Sequence, residues 1–288
     1  MKVGIVALIG RPNTGKSTLL NNLLGQKVTI TSPKPQTTRF SLRAVYEDER
    51  GQIIFVDTPG IFAKTPDLLS KRVNPQAGLT LAQGVDLILH MVDHTKKRDL
   101  EENKTIGMIR NVKNTPKILV INKIDLKKPT YRAHYKFLEE EVDEVIEISA
   151  LKKTHLKSLL ELIFKYLPEG KPLPETKERV TPALDIDSKT FIAELIREKA
   201  FIFLRKEIPY SLTTVVDEIK ERKDGLLCIQ ARILTTNDKY RKMIIGKKAR
   251  MIKEIGMATR KELEIATNKK VFLDLKVEVD KHWMERFI

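Results

Sequence analysis

Residues 10–17, with the sequence GRPNTGKS, have the types and spacing needed to bind a chain of phosphates. They match the pattern G-x-x-x-x-G-K-S/T and stand between an apolar run of strand length and a run that predicts a helix. Glycines let such a loop turn tightly, so that its N–H groups converge on phosphate at the positive end of the helix. Lys16 could then reach the β- and γ-phosphates, and the Ser17 hydroxyl could bind Mg²⁺. This segment predicts a phosphate-binding loop.

A second group of candidate residues, Asp57-Thr58-Pro59-Gly60, directly follows a run that predicts a strand. The Asp57 carboxylate could hold Mg²⁺ through water, and the Gly60 N–H could donate to the γ-phosphate. Taken alone, these four residues also fit an ordinary turn. They indicate nucleotide binding only together with the phosphate-binding loop.

The third group, Asn122-Lys123-Ile124-Asp125, could select the base. The Asp125 carboxylate can accept hydrogen bonds from N1–H and N2–H of guanine, a pair of donors that adenine does not present together. Asn122 could link the base to the phosphate-binding loop, and the stem of Lys123 could cover the face of the base. A backbone N–H in Ser149-Ala150 could meet the guanine O6. Alone, the third group would also fit a helix-capping turn. Its position after a strand, about a hundred residues beyond the phosphate-binding loop, favours a role in guanine recognition.

The three groups follow strands in a chain whose strands and helices alternate. We predict strands at 3–9, 41–46, 52–56, 85–92, 117–121 and 145–148, and helices at 18–24, 100–112, 131–141 and 155–167. The short turn between the second and third strands predicts an antiparallel hairpin. The alternation predicts a mostly parallel α/β sheet, and such sheets bind ligands at the carboxyl ends of their strands.

The sequence predicts two domains. Residues 168–182 contain four prolines, which indicates an extended linker. We expect a nucleotide-binding domain over 1–168, a linker over 169–182 and a second domain over 183–288. In the second domain, helices at 192–206 and 250–266 and strands at 212–219, 226–234 and 271–279 predict a smaller α+β fold.

Composition narrows the class of partner. The formal net charge of +15 among 288 residues indicates a polyanion, either nucleic acid or an anionic membrane surface, although solubility alone would also account for it. No apolar run approaches the ~20 residues needed to span a membrane, and the first strand starts too early for a signal peptide, so we expect a cytoplasmic protein. Cys228, the single cysteine, excludes an internal disulfide. The five histidines have no metal-ligand spacing.

In this order, the three groups resemble the guanine-nucleotide-binding domain of translation-factor-class GTPases. Residues 10–17, 34–39 and 57–61, together with the second domain, are similar to the Era family of bacterial GTPases over essentially the whole chain. The resemblance implies a P-loop GTPase that cycles between GTP and GDP with Mg²⁺. It also implies that Thr38, with Thr37 as the adjacent alternative, binds Mg²⁺ and the γ-phosphate. Asn13 matches an asparagine through which related GTPases bind an activating K⁺.

Two residues of the nucleotide site depart from related patterns. Thr14 replaces the valine usual in the family's phosphate-binding loop, and we expect this change to be tolerated. Ile61 stands where Ras-like GTPases have a water-orienting glutamine, and because isoleucine cannot orient water we expect slow intrinsic hydrolysis. The expected catalytic residues are Lys16, Thr38, Asp57 and Gly60, and the expected Mg²⁺ ligands are Ser17, Thr38 and Asp57. The residues expected to bind GTP are Gly10, Arg11, Pro12, Asn13, Thr14, Gly15, Lys16, Ser17, Thr18, Asp57, Thr58, Pro59, Gly60, Ile61, Asn122, Lys123, Ile124, Asp125, Ser149 and Ala150.

The second domain has its own candidate site. Residues 239–253 contain seven basic side chains and no acidic one. Within this run, Gly246-Lys247-Lys248-Ala249 approaches the GxxG loop with which KH domains hold a nucleic-acid backbone, except that Ala249 replaces the second glycine. A solvated charge run at the start of a helix is the alternative. The residues expected to bind RNA are Lys239, Arg241, Lys242, Ile245, Gly246, Lys247, Lys248, Ala249, Arg250 and Lys253.

Era proteins carry a C-terminal KH domain. The resemblance implies binding to ribosomal RNA of the small subunit near its 3′ end, and assistance in assembly and maturation of the 30S subunit. We therefore expect a monomeric GTP-hydrolysing switch in the cytoplasm, with peripheral contact at the inner face of the cell membrane left open. The alternative is an RNA-binding chaperone module that uses GTP as a structural ligand with little turnover. An ATPase is a further alternative, which Asp125 argues against.

Overall fold

The computed structural model describes residues 1–25, 42–57, 84–172, 188–204, 207–267 and 269–286. The chain divides into two compact units, Met1–Asp185 and Ile186–Ile288. Residues 173–187, which include most of the predicted linker, lie outside the described residues. The predicted limits 1–168, 169–182 and 183–288 therefore stay predictions.

The first unit is built on a six-stranded sheet with the strand order β2-β3-β1-β4-β5-β6. Only the β2–β3 pair is antiparallel among these strands; all other neighbours are parallel, so the predicted hairpin and the mostly parallel sheet are confirmed. The strands are β1 (Lys2–Ile9), β2 (Leu42–Asp48), β3 (Gly51–Asp57), β4 (Leu87–Asp93), β5 (Lys117–Asn122) and β6 (Glu144–Ile148). Every residue of β3 and of β4 is buried, as the apolar runs of a parallel sheet require.

Helices connect these strands. Three α-helices are described in this unit: α1 (Lys16–Leu24), α2 (Leu100–Arg110) and α3 (Leu156–Tyr166). Helix α1 ends at Gly25, whose φ of 67° is the left-handed conformation that terminates helices. Helix α3 buries an apolar stripe whose members recur every three to four residues, Leu156, Leu159, Leu160, Ile163 and Phe164.

The helix predicted at 131–141 is a 3₁₀-helix, Arg132–Glu141. Its two buried side chains, Tyr135 and Leu138, are three residues apart. This spacing suits three residues per turn, because residues i and i+3 of a 3₁₀-helix lie directly above one another. The prediction of a helix is confirmed here, and its type differs.

The first residues after α3 remain attached to the first unit. The N–H of Val3 donates to the Pro168 carbonyl and the N–H of Gly170 donates to the Met1 carbonyl, both at 3.0 Å. Lys2 forms an antiparallel bridge with Glu169. The beginning of the segment predicted as a linker is thus bonded to the start of β1.

The second unit is a three-stranded sheet with the order β7-β8-β9 and helices around it. Strands β7 and β8 are antiparallel, and β8 and β9 are parallel. The α-helices are α4 (Ser188–Phe203), α5 (Asp238–Ile245), α6 (Arg250–Thr267) and α7 (Trp283–Arg286), and the strands are β7 (Leu212–Glu221), β8 (Leu227–Thr235) and β9 (Val271–Val279). Short 3₁₀-helices span Ile208–Ser211 and Lys247–Ala249. The predicted α+β fold is confirmed, and α5 is an additional helix that begins where Asn237 caps the N–H of Tyr240.

Among the helices of the described segments, none is both long enough and apolar enough to cross a bilayer.

Candidate nucleotide-binding site and RNA-binding loop

The phosphate-binding loop needs both of its glycines. A Cβ added to Gly10 would collide with the Met91 carbonyl oxygen, which belongs to the neighbouring strand β4. Gly15 has φ 104°, a conformation that side chains rarely allow, and a Cβ there would collide with the Asn122 amide. The loop therefore lies directly against β4 and the base-binding segment.

Lys16 is held inside the loop. Its Nζ donates to the carbonyl of Gly10 at 2.8 Å and to that of Arg11 at 3.1 Å. Burial lowers the pKa of Lys16, and the nearby carboxylates of Asp57 and Glu102 oppose that shift. Among the described residues the Lys16 ammonium donates to two carbonyl oxygens, and a phosphate would hold it more strongly, since charge-assisted hydrogen bonds are the stronger ones.

Asp57 and Ser17 meet at the ends of β3 and the loop. The Ser17 hydroxyl donates to Asp57 Oδ2 at 2.9 Å, while Asp57 Oδ1 is buried and has no hydrogen-bond partner among the described residues. Burial raises the pKa of Asp57 to about 6, with Lys16 and Ser17 acting in the opposite direction. A hydroxyl and a carboxylate with an unpartnered oxygen form a hard-oxygen donor set, which fits Mg²⁺.

Asn122 connects the phosphate loop to the base-binding segments. Its Nδ2 donates to the Thr14 carbonyl at 2.7 Å, and its Oδ1 accepts from the Ala150 N–H at 2.9 Å. The Ala150 carbonyl in turn accepts from Asn22 Nδ2 of α1 at 2.7 Å. Asn122 is buried, and these two hydrogen bonds give both its amide nitrogen and its amide oxygen a partner and join three chain segments.

The base-binding segments end in an exposed carboxylate. Asp125 is exposed, and its Oδ1 accepts from the Ser149 hydroxyl at 2.5 Å. Ser149 is itself fixed because its Oγ accepts from the N–H of Lys152 at 3.0 Å. Asp125 is thus oriented through Oδ1, and its exposed carboxylate can still accept hydrogen bonds from a base.

Six residues of the predicted nucleotide site lie outside the described residues: Thr37, Thr38, Thr58, Pro59, Gly60 and Ile61. Their expected contacts with Mg²⁺, the γ-phosphate and the attacking water stay predictions.

Arg11, expected to bind GTP, directs its side chain into the first unit. Its Nη1 donates to the Lys97 carbonyl and to Asp99 Oδ2, both at 2.9 Å, and Nη2 donates to the Tyr135 hydroxyl at 3.0 Å. The side chain is almost completely buried. The side chain of Arg11 is therefore not directed at the nucleotide site, and the expected contact with GTP is left to its backbone, whose carbonyl accepts from Lys16. No sequence signal distinguishes a loop arginine that turns inward from one that faces a phosphate.

The predicted RNA-binding loop has an unusual backbone at Ala249. Gly246, Lys248 and Ala249 have φ values of 73°, 52° and 57°. A Cβ on Gly246 would approach the Met251 Cβ to 2.9 Å, so the first position needs glycine. Ala249 has the left-handed conformation although it carries a Cβ, a conformation that glycine adopts without this steric cost.

Acidic neighbours divide the basic run into two classes. Asp238, directly before the run, pairs with Arg241 at 2.8 Å and with Lys242 at 3.1 Å, and Glu254 pairs with Arg250 at 2.8 Å. Four other lysines are exposed and belong to no ion pair found among the described residues: Lys239, Lys247, Lys248 and Lys253. The charge run alone does not distinguish these two classes, because the difference depends on acidic residues on neighbouring helical turns.

Sequence comparison identifies both units. Residues 5–123 match the model described as 50S ribosome-binding GTPase, and residues 207–284 match that of the KH domain. GTPase Era of Halothermothrix orenii is 43% identical over 287 residues, which cover 99% of this chain and 95% of the relative. The chain belongs to the GTPase Era family. GTPase Era of Thermotoga maritima, at 41% identity over 290 residues, covers 99% of this chain and 94% of the relative.

Solved Era structures have the same architecture. A variant of Aquifex aeolicus Era bound to GDP·AlF₄⁻ has a TM-score of 0.89 at 39% identity, covering 100% of this chain and 97% of that chain. Era in complex with MgGDPNP and nucleotides 1506–1542 of 16S ribosomal RNA has a TM-score of 0.90 at 39% identity, with coverage of 100% and 96%. The two-domain arrangement of a P-loop GTPase followed by a KH domain, inferred from the sequence, is confirmed.

Proposed function

We propose that this Era-family protein is a GTP-hydrolysing switch whose KH domain binds small-subunit ribosomal RNA near its 3′ end and assists 30S assembly. One observation carries the nucleotide part: Asn122 joins the phosphate loop at Thr14 and the base-binding segment at Ala150. A site linked in this way favours a ligand with phosphates at one end and guanine at the other. The complex of a related Era with MgGDPNP and 16S ribosomal RNA supports the assignment.

In this proposal the phosphates lie along residues 10–18. The Lys16 ammonium exchanges its two carbonyl acceptors for β- and γ-phosphate oxygens. Ser17 and Asp57 hold Mg²⁺, with Thr38 as the expected third ligand. When bound, Mg²⁺ neutralises phosphate charge and orients the phosphate oxygens for displacement.

Hydrolysis breaks the bond between the γ-phosphorus and the bridging oxygen while water adds to that phosphorus. GDP leaves with the bridging oxygen, and the proton lost by the water passes to the phosphate product. Lys16 and the N–H of Gly60 stabilise the charge that develops on the phosphoryl oxygens. Ile61 has no polar group to orient the water, so we propose slow intrinsic hydrolysis. K⁺ bound near Asn13 is a further proposed contributor, and comparison of rates in K⁺ and Na⁺ tests it.

The KH domain supplies the RNA site. We propose that Lys239, Lys247, Lys248 and Lys253 contact phosphates, because they are exposed and carry no intramolecular ion pair among the described residues. The protein acts as a cytoplasmic monomer in this proposal. An anionic membrane offers the same phosphate chemistry, so cosedimentation with phosphatidylglycerol vesicles, with and without competing RNA, distinguishes the two partners.

A phosphate-release assay on the full chain tests the proposal. The parent should release several equivalents of phosphate from GTP and far less from ATP. Lys16→Ala should abolish this release, whereas Lys157→Ala, which removes an exposed lysine of α3, should behave as the parent does. A single equivalent or less from the parent would favour the alternative, a chaperone with GTP as a structural ligand.

RNA crosslinking in cells tests the partner. Crosslinks should concentrate near the 3′ end of small-subunit ribosomal RNA and should change when hydrolysis is blocked by Lys16→Ala. Crosslinks spread evenly over unrelated RNAs would contradict the proposed specificity.

A further inference from the structure

Lys123 lies in the base-binding segment, and both its side-chain ammonium and its backbone carbonyl are held by other residues. Its Nζ pairs with Asp93 Oδ2 at 2.6 Å, and its carbonyl accepts from His94 Nε2 at 2.9 Å. The same carbonyl accepts from the N–H of Leu126 at 2.9 Å. Asp93 and His94 stand at the end of β4, directly beside β5, which ends at Asn122.

Lys123 needs this support because its backbone is strained. Its φ is 73°, in the left-handed region that residues with a Cβ seldom occupy. This bend directs the chain from Asn122, which bonds to the phosphate loop, towards Asp125, which faces the base. Without contacts to hold it, the segment would populate other backbone conformations in which Asp125 is displaced.

The His94 side chain is fixed for this contact. It is buried, with 7% exposure, and its Nδ1 lies 3.1 Å from the Thr130 hydroxyl. Because the Lys123 carbonyl only accepts, Nε2 carries the proton, and Nδ1 is then free to accept from Thr130. Asp93 is equally constrained, since its Oδ1 accepts from the N–H of Thr95 at 3.0 Å and from the Thr95 hydroxyl at 2.6 Å.

We propose that His94, together with Asp93, is a positioning residue for guanine recognition. Asp93 holds the ammonium of Lys123 and His94 holds its carbonyl, and the two contacts together fix the position of Asp125. The inference rests on the proposed binding of guanine nucleotides at this site. His94 does not contact the base; it acts through the backbone of Lys123. Its loss therefore weakens the contacts that depend on the place of Asp125 more than those made by the phosphate loop.

Titration of the full chain with GDP and with inosine diphosphate (IDP) separates these contributions. IDP lacks the N2 amino group, so the ratio of its Kd to that of GDP reports one Asp125 contact. His94→Ala should weaken GDP by about tenfold, the size expected for a lost hydrogen bond to a strained backbone, and should reduce the IDP/GDP ratio. His94→Gln should recover most of both quantities, because its amide N–H can donate to the Lys123 carbonyl.

A core variant controls for general loss of stability. Ile109→Ala removes a buried side chain of α2 that packs on Ile88, at the opposite end of β4 from His94. It should lower the melting temperature without changing the IDP/GDP ratio. A parent that binds no GDP would overturn the proposed function itself. Parent-like GDP affinity in His94→Ala, or equal weakening of GDP and IDP, would overturn only the role of His94.

Discussion

Replacement of Ala249 by glycine should stabilise the KH domain. Ala249 has φ 57°, and the left-handed conformation costs a residue with a Cβ about 1–2 kcal/mol. Glycine removes that cost but gives the unfolded chain additional freedom, which offsets about 0.4–1 kcal/mol. The net gain is ~1 kcal/mol. The same change in a regular helix should have the opposite sign, because glycine is ~1 kcal/mol worse than alanine there.

Ala258, in the interior of α6, provides that matched comparison. Hydrogen–deuterium exchange of the full chain measures the stability of the KH domain, because slowly exchanging backbone amides of β8 report the free energy of opening that domain. A change of ~1 kcal/mol corresponds to about a fivefold change in exchange rate. Exchange should therefore slow about fivefold in Ala249→Gly and accelerate about fivefold in Ala258→Gly.

Faster exchange in Ala249→Gly, matching that of Ala258→Gly, would refute the reasoning. Ala249 would then have an ordinary helical backbone in solution.

Three further predictions concern single sites. Asp125→Asn should shift preference from GTP to xanthosine triphosphate by orders of magnitude, because the new amide can donate to the added carbonyl of xanthine. If the variant kept the parent's ratio of the two Kd values, the role of Asp125 in selecting guanine would be contradicted. In the nucleotide-free protein, burial raises the pKa of Asp57 from 3.8 to about 6. The folded protein therefore holds this proton more tightly than the unfolded chain, and the free energy of unfolding should fall by at most ~3 kcal/mol as pH rises from about 4 to 6. Urea titrations should show that Asp57→Asn removes this pH dependence; if the variant keeps it, a group other than Asp57 is responsible. Replacement of both Lys247 and Lys248 by aspartate should abolish binding of single-stranded RNA in filter assays, because the new charges repel the phosphates. Replacement of both by alanine should instead flatten the plot of log K against log salt concentration, by roughly 0.7 units of slope for each lost phosphate contact. Parent-like binding by the aspartate pair would favour a solvated charge run.

The sequence was sufficient where local chemistry and pattern agree. The loop at 10–17 has glycines that the neighbouring chain segments require, and its flanking strand and helix are where the pattern places them. The hairpin of β2 and β3 followed from the short turn between two predicted strands. The role of Asn122 as a link followed from its place at the end of β5.

Contacts between distant segments could not be predicted in the same way. His94 is an isolated histidine in the sequence, and its role depends on β4 lying beside β5. The inward turn of Arg11 depends on Asp99 and Tyr135, which are far from it in sequence. Helix α5 was not predicted from the sequence, although Asn237 before it is a recognisable N-cap.

The hydrogen bonds between Met1–Val3 and Pro168–Gly170 bring together the two ends of the part of the first unit that contains its sheet and its described helices. A unit with adjacent ends can be excised, circularly permuted or inserted into a host loop while its sheet stays intact. The two ends meet at the start of β1, away from the strand ends that carry Asp57 and Asn122. Fusion to a different downstream domain would therefore place its junction far from the nucleotide, so this unit has the geometry of an exchangeable cassette.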